Sequence, residues 1–166
     1  MTRKPLFLLL VALILGPGWL HASSAPGKEA LCEKDAAALA REGKLDEGLA
    51  AIRKCIKESP ARAKTHVVLG YILLEKGEGK EAIASFDKAL ELRPRSSAAK
   101  TGKGIVLAKD GDLKGAESIL KDALKLNPDP ARTYYELGLI AEQLGDPQQA
   151  LSYFKQGITT REQAKR

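Results

Sequence analysis

Three prolines, Pro60, Pro94 and Pro128, fall 34 residues apart, and three further columns keep the same period. Gly43, Gly77, Gly111 and Gly145 form the first. Gly48, Ala82, Ala116 and Ala150 form the second, always small and five places after that glycine. Ile52, Phe86, Leu120 and Phe154 form the third, always bulky and apolar. A fixed period of this length marks stacked supersecondary units that bury their apolar faces against one another. Such a chain builds an extended surface rather than a closed catalytic cavity, which points to binding and leaves the partner open.

Each period reads as two helices. From Ala63 to Lys76, apolar residues at Val67, Val68, Leu69, Ile72, Leu73 and Leu74 make one broad helical face. Gly77-Glu78-Gly79 then punctuates the chain. From Lys80 to Leu92, Ala82, Ile83, Phe86, Ala89 and Leu90 make a second amphipathic stripe. Pro94 stops that helix, because a proline pushes the residue before it away from helical dihedrals. No alternating, strand-like run occurs, so the expected fold class is all-α.

These positions resemble the tetratricopeptide repeat. Residues 63–96 carry Leu69-Gly70, Ala82, Phe86, Ala89 and Pro94, and residues 131–164 carry Tyr134, Leu137-Gly138, Ala150 and Phe154. Residues 97–130 keep Gly104, Ala116, Leu120, Ala123 and Pro128 but place Lys100 and Lys103 where bulkier residues are usual. Residues 29–62 diverge most, with Ala36, Gly48 and Cys55 at signature positions. The resemblance implies a right-handed α-solenoid of four helix-turn-helix units. In it, small residues at 70, 82 and 89 allow close helix approach, and Phe86 or Phe154 fills the wedge between pairs. The glycines at 43, 77, 111 and 145 supply the left-handed residue ending each first helix. The polar segment from Thr159 to Arg166 is too short for an extra capping helix. The last pair is therefore either covered by another chain, giving a homo-oligomer, or left open.

The first 24 residues read as a leader. Arg3 and Lys4 precede an unbroken apolar run from Leu6 to Leu15, then Gly16-Pro17-Gly18 and a small-residue stretch from Ala22 to Ala25. This is a secretory signal layout, with cleavage expected near residues 22–25 and a short linker over 25–28. Ten apolar residues rise about 15 Å as a helix, half a bilayer core, so an uncleaved anchor is the lesser reading. The expected location is periplasmic or secreted, with no stable membrane span after cleavage. Loss of Arg3 and Lys4 from 27 basic residues leaves 25 against 21 acids, a mild excess. Acids and bases interleave, as in Lys80-Glu81, so the charge gives no footprint for a nucleic-acid partner.

Cys32 and Cys55 are the only cysteines, and their midpoint falls between Gly43 and Lys44, at the expected turn of the first hairpin. Residues equidistant from such a turn face each other, and an exported chain meets an oxidising compartment. A Cys32–Cys55 disulfide is therefore expected, against two separate thiols or a redox pair. It would compensate the most divergent unit.

The resemblance also implies a concave groove lined by the first helix of each pair. Transferred to this sequence, its binding positions are Lys64, Val67, Tyr71, Leu74, Ile105, Arg132, Tyr135, Leu139 and Glu142. Glu75 and Lys109 complete the rim, and a protein or peptide segment with apolar anchors is the expected partner. Glu33 and Ala37 occupy the places where chaperone-binding members carry a carboxylate clamp, so that clamp is not expected. His66 stands at a packing position. No metal-ligand spacing, nucleophile motif or phosphate loop occurs, and neither enzyme activity nor a cofactor is expected.

Overall fold

The computed structural model describes residues 27–127 and 130–163. The leader expected over 1–24 and the third periodic proline, Pro128, lie outside the described residues. Among the described residues eight helices follow one another: α1 (Gly27–Arg41), α2 (Leu45–Glu58), α3 (Ala63–Lys76), α4 (Gly79–Leu92), α5 (Ser97–Lys109), α6 (Leu113–Leu124), α7 (Ala131–Gln143) and α8 (Pro147–Gln163). They pack as four antiparallel pairs, and each first helix also touches the first helix of the next pair. The chain is an all-helical α-solenoid of four helix-turn-helix units.

The columns explain why the helices stop and stack where they do. Gly43, Gly77, Gly111 and Gly145 all have φ near +80°, a region costly for any residue with a Cβ. At Gly77 this lets the N–H of Glu78 reach back to the carbonyl of Leu73 at 2.9 Å, closing the end of α3. Phe86, fully buried, lies between Gly70 of its own pair and Gly102 of the next, where an added Cβ would overlap its ring. Leu120 sits against Gly104, and Phe154 sits against Gly138, in the same manner. The ring of Phe154 stays partly exposed because no described helix covers its far side.

The third unit is where the core thins. One buried cluster runs from Ala36 to Val106, and a second, smaller one joins Ala116, Leu120, Leu137 and Ile140. Between them, the hydroxyls of Thr101 and Thr133 meet at 3.0 Å in a fully buried position. Lys103, at a usually bulky position, reaches back to Asp87 of α4 at 2.6 Å. A charge pair thus replaces an apolar contact at this junction.

Candidate partner-binding groove

The first helices α1, α3, α5 and α7 set the inner face of the stack. Tyr71 on α3 is its centre. Its hydroxyl donates to the carbonyl of Ala98 on α5 at 3.1 Å, and its ring meets Phe86 edge-on, centroids 5.2 Å apart. The guanidinium of Arg132, on α7, lies 4.7 Å from the ring centroid, a cation–π contact between non-adjacent pairs. Arg132 also approaches Glu136 at 3.9 Å. Burial raises the Glu136 carboxyl above its ordinary value, with Arg132 and Lys109 pulling the other way. Burial likewise raises the Tyr71 phenol, against the charge of Arg132. Tyr71, Lys109, Arg132 and Glu136 therefore form one amphipathic patch across three helices.

The nine residues transferred to the groove divide into three groups. Val67, Leu74 and Ile105 are buried among the helices and carry packing. Tyr71 and Leu139 are half-buried, while Lys64, Arg132, Tyr135 and Glu142 are exposed. Tyr135 stands apart from Tyr71: its ring tilts against Phe154, 5.7 Å between centroids, at the outer face of the last pair. Lys64, though exposed, lies 3.2 Å from the Glu33 carboxylate. Glu136 was not singled out by the sequence; it shares its column with Lys34, Val68 and Gly102, which have no common character to mark it. His66 is buried and, as a donor through Nε2, bonds the carbonyl of Pro60 at 3.0 Å. No group of three or more potential metal ligands occurs among the described residues.

Glu33, in the first unit's groove register, is a buried ion centre. Its side chain is 1% exposed, accepts from Thr65 Oγ1 at 2.8 Å and from Arg62 Nε at 3.2 Å, and faces the Lys64 ammonium. Burial opposes its charge, but these donors outweigh that cost and hold its pKa below 4.5. A depressed carboxylate stabilises the fold above the unfolded pKa, and that contribution is lost as pH falls through the lower folded value. Glu33→Gln is expected to cost about 2 kcal/mol at neutral pH. The gap to wild type should then close below pH 4.5. Urea titrations of both proteins at several pH values check this, and a pH-independent gap would remove the ionic role.

Cys32 and Cys55 form a disulfide joining α1 to α2, with Cα atoms 6.2 Å apart. Together with Arg62 and Thr65 they line a small pocket next to the Glu33 cluster. The first unit is thus held by a covalent bridge and a buried ion centre side by side.

Four stacked helix pairs with a wedge residue at each junction define a tetratricopeptide-type interaction scaffold. The sequence matches the tetratricopeptide domain of cytochrome c-type biogenesis protein H over residues 28–163, and the chain belongs to that family. No curated protein matches it at a significant level. Among solved structures, it is similar to PilF of Pseudomonas aeruginosa, with a TM-score of 0.72 and 23% identity, covering 81% of this chain and 61% of that one. It thus spans about three fifths of the PilF chain. It is also similar to MamA, at TM-score 0.66 and 21% identity, covering 84% of this chain and 82% of the other. A MamA fragment from Desulfovibrio magneticus gives 0.65 and 18%, covering 81% and 76%. At these identities the likeness concerns the fold. Among the described residues no helix is long and apolar enough to cross a membrane.

Proposed function

We propose that this chain is an exported, non-catalytic scaffold that takes a segment of another protein in its concave groove and supports assembly of an envelope complex. The observation that carries the reading is the patch of Tyr71, Lys109, Arg132 and Glu136. It offers an apolar floor with both charge signs at its edge, which suits an amphipathic peptide segment with apolar anchors. Export is supported by the basic, apolar and small-residue order of the first 24 residues. The family is named for cytochrome c-type biogenesis, which makes that process the first assembly to examine.

Crosslinking pull-down from the native host tests the groove, with the Tyr71→Ala/Tyr135→Ala pair and Arg132→Glu as comparators. Arg132→Glu keeps an exposed position polar while removing the cation over Tyr71, so its fold should persist. Loss of the partner with folded Arg132→Glu is the expected result. Full recovery with both variants would refute the groove. Amino-terminal sequencing of the periplasmic protein tests export, with a start near residues 22–25 expected.

A further inference from the structure

The two ends of the solenoid carry complementary halves of the junction that its interior repeats. Among the described residues six large hydrophobic side chains are exposed, and five belong to the first or last pair: Leu31, Tyr135, Leu144, Leu151 and Ile158. A pocket of about 780 Å³ opens at the last pair, lined by Tyr135, Phe154, Gly157 and Ile158 and flanked by Arg132 and Arg161. It lies over the free side of Phe154. In the second unit the same side of Phe86 is covered by α5, the first helix of the next pair.

We propose that a second copy of this chain seats its α1 on this face, so that molecules stack tail to head as if the repeat continued. Inside the molecule, successive first helices meet through two fixed columns. Glu33 contacts Thr65 at 2.8 Å, and Thr101 contacts Thr133 at 3.0 Å. One period beyond Thr101 stands Tyr135, 54% exposed, and one period before Thr65 stands Leu31, 57% exposed. Each is half of a pair that is buried at the interior junctions.

The charges agree. Asp87 on α4 pairs with Lys103 on α5 at 2.6 Å. Two periods after Asp87 stands Lys155 on α8, and two periods before Lys103 stands Asp35 on α1, both exposed. The tail-to-head contact thus repeats that ion pair with its signs exchanged. Lys34 takes the place of Gly102, so the Phe154 ring, open on its far side, has to tilt to make room for a Cβ that the interior junction excludes. The contact joins two different surfaces, so it propagates as open chains rather than closing as a symmetric dimer.

Multi-angle light scattering of the full chain tests this, with folding of every variant checked by circular dichroism. Wild type is expected to gain mass with concentration through the micromolar to millimolar range. Leu31→Asp and Ile158→Asp, each at an exposed site, are expected to stay monomeric alone. Mixed together they are expected to give a 1:1 dimer, because each keeps the face the other has lost. Asp35→Lys and Lys155→Asp should each weaken association about tenfold, and the double exchange should restore it. Three results would overturn the proposal: a wild type that is monomeric throughout, dimers of Leu31→Asp alone, or no dimer in the mixture.

Discussion

Replacing Phe86 with alanine is expected to destabilise the chain by about 3–5 kcal/mol, the range for a fully buried aromatic that leaves a cavity. The ring has no exposed surface and is held between Gly70 and Gly102, which lack side chains that could move in to fill the gap. It also touches the ring of Tyr71, which bonds Ala98 and stacks under Arg132, so its loss loosens the link from α3 to α5 and α7. In a repeat array stability is roughly a sum of unit and junction energies. Weakening this junction should therefore separate the unfolding of the first two units from that of the last two. The tyrosines make this visible. Tyr134, Tyr135 and Tyr153 lie in the last unit, so tyrosine fluorescence reports chiefly on that end, while far-ultraviolet circular dichroism reports on all helices. Coincident wild-type transitions that part company in Phe86→Ala are the expected result. Gly102→Ala should cost about 1–3 kcal/mol by overpacking against the same ring, and Phe86→Leu in that background should recover part of it. A Phe86→Ala protein with an unchanged urea midpoint would show that the wedge is not what couples the pairs.

Much of this stack was legible in the sequence because its contacts recur. The left-handed glycines, the paired helices and the wedge at Phe86 each sit in a column that the period repeats. The disulfide was legible for a local reason, since Cys32 and Cys55 are equidistant from one turn. The groove was less legible. Which residues of a first helix face inward and which slip between helices depends on the curvature of the stack, and the period is silent on curvature. Val67 and Leu74 went to the core for that reason, while Tyr71 stayed half-buried. The contact from Tyr71 to Arg132 joins units two periods apart, and no nearest-neighbour pattern encodes it. In the sequence, Lys103 stood where a bulkier residue is usual, and Glu33 stood where a clamp residue was missing. Each proved to be paired: Lys103 with Asp87 of the preceding unit, and Glu33 with Arg62 of its own unit and Lys64 of the next.

Removing the disulfide is the second large effect. The bridge spans a sequence separation of 23 residues, for which loop entropy gives about 3 kcal/mol. For a chain of this size that lowers the melting temperature by about 10 °C. The effect should be local before it is global. Among the described residues the helix α1 has neighbours on one side only, α2 and α3, and it holds the buried Glu33 carboxylate in place. Once the bridge is cut, any fraying of α1 pulls Glu33 from Thr65 and leaves Arg62 and Lys64 without their common acceptor. The two stabilising devices of the first unit are thus coupled, and the combined loss should differ from the sum of the separate ones. A cycle of Cys32→Ser/Cys55→Ser with Glu33→Gln measures this directly. Amide exchange should quicken first in α1 of the serine protein, while α4 and α5 keep their protection. Reductant should shift the wild-type melt to that of the serine variant and leave the variant itself unmoved. A serine protein that melts with the oxidised wild type would show that packing alone holds the first unit. The covalent bridge would then be incidental to the fold.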